Sequence, residues 1–261
     1  MNTFQPIGDE LVRIKILADV GDGLTLPINY NYLLTGVTYR FLGESNPEYA
    51  SFLHNEGYLA AEKRFKLFTF SQLMAERRRI TGDKIHFGST LTWYVSSPVQ
   101  QFLSHFADTL LTEGRLSLGH RELRIKDVTI PRIPRFESEM HFRCLSPIVM
   151  TTAREREGKR VMHYCLPDDP ALSDLIRQNL IRKHEAIHGR APHDDTLSFA
   201  FDQTYIDRRH GRVTRLVDYK GIKIRGTMCP FRVTGSIPLI QIGYECGFGD
   251  KNSAGFGMAE I

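Results

Sequence analysis

The chain has 261 residues, 41% apolar and 25% charged, with a formal net charge of +4 at pH 7. That length exceeds one ordinary domain and suits two small ones, and the composition excludes a disordered chain. No apolar run is long enough to span a bilayer, and Met1-Asn2-Thr3-Phe4 opens no basic-then-apolar secretory signal, so the cytoplasm is the expected compartment. Cys144, Cys165, Cys229 and Cys246 form no Cys-x-x-Cys pair, which argues against a disulfide framework or structural zinc. Cys246 reads as a small buried hydrophobe rather than a nucleophile.

In chain order, Leu11 to Leu17 alternates and predicts a strand. Leu26-Pro27 leads into a helix whose stripe is Tyr30, Leu33, Leu34, Val37 and Phe41. Asn46 to His54 predicts a short second helix. Phe65 to Phe70 and Ile85 to Val95 read as strands, the second with Ile85, Phe87, Leu91, Trp93 and Val95 on one face. Pro98 opens a helix with Val99, Phe102, Leu103, Phe106 and Leu110 on its stripe, and Leu123 to Ile130 predicts a strand. This β-α-β-β-α-β order is the ferredoxin-like plan, an antiparallel sheet with both helices on one face. Pro131-Arg132-Ile133-Pro134 reads as a linker, giving domains at residues 1–131 and 136–261.

The second half partly repeats the plan. A strand is expected near Glu139 to Leu145, and a helix from Ala171 to His188, stopped by Gly189 and Pro192. Strands are expected near Leu197 to Tyr205, Val213 to Tyr219 and Gly221 to Val233. Ser236-Ile237-Pro238 predicts a last helix through Cys246, ended by Gly247, with a final strand from Phe256 to Ile261. The expected fold class is α+β: two tandem ferredoxin-like domains, the second with an enlarged β-hairpin. Such domains commonly hold single-stranded nucleic acid.

Charge is uneven. Between residues 207 and 232, Arg208, Arg209, Arg212, Arg215, Lys220, Lys223, Arg225 and Arg232 stand against Asp207 and Asp218, a net of +6 that leaves −2 for the rest. Such a cluster suggests a polyanion partner, although a solvated hairpin face would carry the same charges. Further on, Gly247-Phe248-Gly249 and Gly255-Phe256-Gly257 flank a spacer holding Lys251, Asn252 and Ser253. Glycine permits close backbone approach, and consecutive exposed amides form anion sites. The segment is therefore expected to wrap a phosphate-bearing strand.

His184-Glu185-Ala186-Ile187-His188 matches the spacing of zinc hydrolases on a predicted helix. A third ligand is needed, and although His193 is near, Gly189 and Pro192 end the helix at once. The two histidines flank the stripe of Leu172, Leu175, Ile176, Leu180 and Ile187, so a solvated helix edge is the expected reading, with no metal. Tyr39, His54 and Lys66 form another group. Tyr39 projects about 180° from its helix's stripe, from a rotation of about 100° per residue, and is not placed as core. Such side chains ordinarily titrate near ~10, ~6.5 and ~10.4. Together they can supply proton transfer and a fixed cation, the needs of metal-free phosphodiester cleavage. Taken singly, each also has an ordinary structural explanation.

The doubled glycine–aromatic–glycine segment resembles the signature of the repeat-associated (RAMP) superfamily of CRISPR proteins. Within it, the chain resembles the Cas6 family, endoribonucleases that cut precursor guide RNA inside each repeat. Leu26-Pro27 with Tyr32-Leu33-Leu34 and Gly36-Val37-Thr38-Tyr39 resembles that family's first helix, and Ser45-Asn46-Pro47 with Phe52-Leu53-His54 its catalytic-histidine segment. Lys66 to Ser71 followed by Met74-Ala75-Glu76-Arg77 resembles its next strand, and Leu145-Ser146-Pro147-Ile148 the start of its second domain.

The resemblance implies Tyr39, His54 and Lys66 as a metal-independent triad. The stretch Asn55 to Glu62 is an insert that could pass the part of Lys66 to Lys63 or Arg64. The implied reaction is attack by the RNA's own 2′-hydroxyl, giving 2′,3′-cyclic phosphate and 5′-hydroxyl ends without a cofactor. RNA binding falls to Arg208, Arg209, Arg212, Arg215, Lys220, Lys223 and Arg225, and to Gly247, Gly249, Lys251, Asn252, Ser253, Gly255 and Gly257. CRISPR effector subunits and a second copy of the chain are the protein partners it admits. The alternatives are a RAMP subunit that holds guide RNA without cutting it, a plain single-strand RNA-binding module and, more weakly, a zinc hydrolase.

Overall fold

Alternation puts Ile14, Ile16 and Ala18 of the strand Arg13–Asp19 on one buried face. In the computed structural model, which describes residues 11–156 and 158–261, this strand pairs antiparallel with Thr90–Ser96 on one side and Arg121–Thr129 on the other. The expectations that involve residues 1–10, the absent signal at Met1 to Phe4 included, lie outside the described residues. Thr69–Phe70 and Arg115–Leu118 form the two edges of this five-stranded sheet. The first half carries three helices, α1 (Asn31–Ser45), α2 (Pro47–Asn55) and α3 (Gln100–Glu113). Phe41 of α1 lies 5.4 Å from Phe106 of α3, and Phe106 meets Trp93 of the sheet at 5.9 Å.

The second half repeats this arrangement. Glu139–Cys144 and Phe231–Gly235 are central strands, with Leu197–Phe201 and Ala259–Glu260 at the edges. Its helices are α4 (Leu172–His188), α5 (Gln203–Arg208) and α6 (Ile237–Cys246). Phe231 stacks on Phe142 at 5.3 Å and on Phe199 at 4.8 Å, and Phe248 meets it edge-on at 5.0 Å. One continuous hydrophobic core runs through both halves. Arg13 crosses between them, its guanidinium 3.8 Å from the Tyr244 ring centroid and Nη2 donating to the Tyr244 carbonyl at 2.8 Å.

Four expected strands are divided, each for a local reason. Leu67, at φ +54, separates Lys63–Phe65 from Thr69–Phe70. Lys84–Phe87 joins a small sheet with Leu24–Pro27 and Arg78–Thr81 before the chain enters the main sheet at Thr90. The Asp202 carboxylate accepts from the Tyr205 amide at 2.9 Å and starts α5 inside the expected strand Leu197 to Tyr205. Pro230, with no amide hydrogen, separates Phe231–Gly235 from Ile222–Thr227, which forms a hairpin with Thr214–Tyr219. The last strand is only Ala259–Glu260. A hairpin of Thr151–Arg156 and Lys159–Tyr164 is an unexpected addition; charged residues on both its faces conceal its alternation.

Candidate active site and nucleic-acid interface

Ser45-Asn46-Pro47 stops one helix and starts the next. The Asn46 side chain accepts from the Tyr49 amide at 2.9 Å, and Pro47 supplies a fixed φ in the first turn. This turn sends α2 back past α1, with exposed His54 in its last turn. The His54 ring meets the Tyr39 ring edge-on, with centroids 5.3 Å apart and planes at 80°. Tyr39 is half-buried, packed edge-on against Phe68 at 6.0 Å, so it is neither part of the core stripe nor free in solvent. Gly57, at φ +68, lies so close to the following strand that a Cβ there would stand 2.6 Å from the Phe65 carbonyl oxygen. That approach lets Lys66 Nζ donate to the His54 carbonyl at 2.8 Å. Tyr39, His54 and Lys66 are thus brought together from two helices and a strand end.

Burial, with a smaller contribution from nearby Tyr219, holds the Tyr39 hydroxyl well above the ordinary tyrosine pKa. It is therefore a neutral donor at physiological pH. Burial first, and then Arg64, lowers the Lys66 pKa. The neighbouring cations are engaged differently: Lys63 Nζ pairs with Asp250 at 2.7 Å, and Arg64 Nη1 reaches the Glu56 carbonyl at 3.4 Å. Of the three, Lys66 is the one bonded to His54.

The glycine segment corrects an expectation. Gly247, Gly249, Gly255 and Gly257 are buried, and Phe248 and Phe256 between them are core residues. The amides are taken up inside the protein: Phe248 N–H donates to Gly257, Asp250 N–H to Val149, Gly255 N–H to Asn252 and Gly257 N–H to Pro147. A Cβ at Gly255 would collide with the Phe70 ring, and one at Gly249 with the Val149 carbonyl. The glycines allow close packing between the domains, and these four amides are not open to RNA. Asn252 is also turned inward, its Oδ1 accepting from Lys183 at 2.7 Å and its Nδ2 donating to the Phe256 carbonyl at 3.0 Å. Lys251 and Ser253 remain half-buried at the loop's surface.

Two residues absent from the sequence reading organise this loop. Lys183 of α4 is 1% exposed and donates to the carbonyls of Gly247 at 2.6 Å and Gly249 at 2.8 Å as well as to Asn252. Burial lowers its pKa to about 8. Asp250 accepts from Lys63, from Asn179 Nδ2 at 3.1 Å and from the Thr151 hydroxyl at 2.8 Å. Lys63 foremost, with the Thr151 hydroxyl and Lys183, holds its pKa down against burial. One sequence signal was available for Lys183: it falls on the buried stripe with Ile176 and Leu180 at helical spacing.

The basic cluster is mostly surface. Arg208, Arg209, Arg212, Arg215, Lys220, Lys223 and Arg225 are exposed on α5 and the hairpin that follows. Lys223 pairs with Asp218 at 2.6 Å, whereas Arg232 lies apart on the main sheet, 3.5 Å from Glu139. The Asp218 amide donates to Asn29 Oδ1 at 3.0 Å, docking the hairpin just ahead of α1.

His184 also differs from expectation. It is buried rather than at a solvated edge, with Nδ1 2.9 Å from the Arg190 carbonyl oxygen, because the turn at Gly189 folds the chain back over it. His188 lies beside it with ring centroids 4.3 Å apart. Among the described residues, the one group of three metal-capable side chains is elsewhere, at His163, Cys165 and Asp169. There Asp169 already accepts from Arg154 and His163.

Two ferredoxin-like domains are packed together through a glycine loop, with a basic hairpin docked just ahead of α1. Residues 25–129 match the family model for CRISPR-associated protein Cas6, N-terminal, and residues 130–261 that for CRISPR associated protein Cas6, C-terminal. CRISPR-associated endoribonuclease Cas6 1 of Methanocaldococcus jannaschii is 31% identical over 250 residues, covering 95% of this chain and 92% of that protein. A solved structure of a Cas6-related gene product from Pyrococcus furiosus aligns with a TM-score of 0.82 at 25% identity, covering 96% of this chain and 98% of the other. Another, described as CRISPR associated protein Cas6, aligns at 0.75 with 30% identity, covering 95% and 98%. The chain belongs to the Cas6 family.

Proposed function

We propose that this protein is an endoribonuclease that cuts CRISPR repeat RNA in precursor transcripts to release guide RNAs. The observation that carries the reading is the convergence of Tyr39, His54 and Lys66 beside a basic hairpin. The 2′-hydroxyl of the nucleotide before the scissile phosphate attacks phosphorus, and the 5′-oxygen of the next nucleotide leaves. The products are a 2′,3′-cyclic phosphate and a 5′-hydroxyl. The nucleophile is tethered, so the protein's main task is to impose in-line geometry. His54 is solvent-accessible and takes the 2′-hydroxyl proton. Tyr39, kept protonated by burial, donates to the leaving oxygen. Lys66 stabilises charge on the non-bridging oxygens. These side chains supply both proton transfer and charge, so the proposed reaction needs no metal. Arg208, Arg209, Arg212, Arg215, Lys220, Lys223 and Arg225 hold the RNA, with Lys251 and Ser253 at the loop surface. CRISPR effector subunits and a second copy of the chain are proposed as protein partners on family resemblance.

The test is end-labelled repeat RNA incubated with purified protein in EDTA. Two fragments are expected, the upstream one ending in a cyclic phosphate. Cleavage lost in EDTA would refute the metal-free chemistry, and tight binding with no cleavage would favour a subunit that only holds guide RNA.

A further inference from the structure

A cavity of about 220 Å³ lies between the two halves, beside the proposed catalytic residues. Arg64, Lys66 and Phe68 form one wall, and Asp250, Lys251 and Ser253 of the glycine loop form the other. Phe68 is the ring against which Tyr39 packs, and Lys66 is bonded to His54, so the cavity shares a wall with the trio.

Its charge is one-sided. Asp250 is the only carboxylate among the lining residues, and it already accepts from Lys63, Asn179 and Thr151. Among the described residues, the hydrogen bonds of Arg64 and Lys66 go to backbone carbonyls, with the Glu56 charge near Lys66, and Lys251 has no salt bridge. Beneath the loop, the Lys183 ammonium is likewise bound by uncharged oxygens. The space equals roughly seven waters at about 30 Å³ each, enough for a hydrated phosphate group.

We propose that this cavity is a phosphodiester subsite in which Arg64 and Lys251 hold the backbone phosphate next to the scissile one. The inference rests on the nuclease reading above. Both are positioning residues: by fixing the neighbouring phosphate they set the in-line angle at the bond that His54 and Lys66 serve.

The test pairs changes in protein and RNA. Repeat RNA made uncleavable by a 2′-deoxy substitution at the scissile nucleotide carries, in separate molecules, a neutral methylphosphonate at each phosphate flanking the scissile one. Each is bound to wild-type protein, Arg64→Met, Lys251→Asn and the double variant; asparagine tolerates the φ of +60 at position 251. Wild type should lose roughly tenfold affinity at one flanking position, the scale of a charge-assisted contact. Each variant should lose part of that factor on the fully charged RNA and correspondingly less than wild type on neutralisation at that position, and the double variant should lose nothing further there. Losses that multiply at every position, or a wild type indifferent to both neutralisations, would overturn the subsite. Wild-type cleavage of unmodified RNA, run alongside, separates the readings: no cleavage sinks the nuclease reading, and cleavage with multiplying losses sinks only the subsite. Melting curves identify any variant that fails to fold, and Arg64→Gln or Lys251→Gln then replaces it at its own position in the same comparison.

Discussion

Replacing Lys183 with methionine tests whether a buried ammonium holds the glycine loop. Methionine fills similar space but donates nothing, stranding the carbonyls of Gly247 and Gly249 and the side-chain oxygen of Asn252. Net contributions of about 1.5–3 kcal/mol per charge-assisted bond stand against the desolvation of the ammonium. Burial lowers its pKa from 10.5 to about 8, so the ammonium is still the main form at neutral pH. Removing the charged partner from these buried contacts should therefore cost roughly 3 kcal/mol at neutral pH. At roughly 2–4 °C per kcal/mol for a chain of this size, the melting temperature should fall by about 10 °C.

A pH series adds a signature with a fixed sign. The folded pKa lies below the unfolded one, so the unfolded chain binds more protons between them. Stability from this group therefore rises with pH from about 8 to 10.5 and is lost as pH falls back through 8. Other groups titrate in the same window, so the readout is the difference between wild type and Lys183→Met, followed by circular dichroism melts. That part of the rise should be missing from the variant. A variant that melts with wild type, or keeps the same pH slope, would refute the assignment of loop anchoring to Lys183.

His54→Ala should lower single-turnover cleavage about 10²–10⁴-fold while repeat RNA still binds. Loss of binding together with cleavage would make His54 a contact residue instead. Tyr39→Phe keeps the packing against Phe68, so its melt should match wild type while cleavage falls; a normal rate would remove the hydroxyl from the mechanism. Gly57→Ala should cost about 1–3 kcal/mol of stability, since it forces a side chain into positive φ and against the Phe65 carbonyl. Cleavage should fall with it, because this approach places Lys66. Substituting Arg215, Lys220 and Arg225 together with alanine should flatten the dependence of log affinity on log salt by about 0.7 for each lost contact to single-stranded RNA. An unchanged slope would leave that hairpin a solvated face.

Periodicity makes the helices and central strands legible, because each buries one face against the core: Phe41 and Phe106 stand on stripes, and Trp93 on an alternating face. The breaks are harder to read. Leu67 adopts positive φ without being glycine, and Asp202 caps a helix within an apolar strand pattern. Tyr39 is legible as a residue off its stripe, but its contact with His54 depends on the Asn46-Pro47 turn and the close pass at Gly57. The glycine segment is legible as a motif, while its burial is not: exposed amides and tightly packed ones demand the same glycines. Asp250 looks like a surface charge in sequence, and although Lys183 falls on its helix's buried stripe, only tertiary contact makes the two the loop's anchors.

The proposed nucleophile at Tyr39, His54 and Lys66 is the RNA's own 2′-hydroxyl. The most direct measurement is single-turnover cleavage of repeat RNA with one 2′-deoxy nucleotide at the scissile position, beside all-ribose RNA, both in EDTA. The all-ribose RNA should be cut, and the substituted RNA should be bound but left whole. Normal cleavage of the substituted RNA would contradict that assignment.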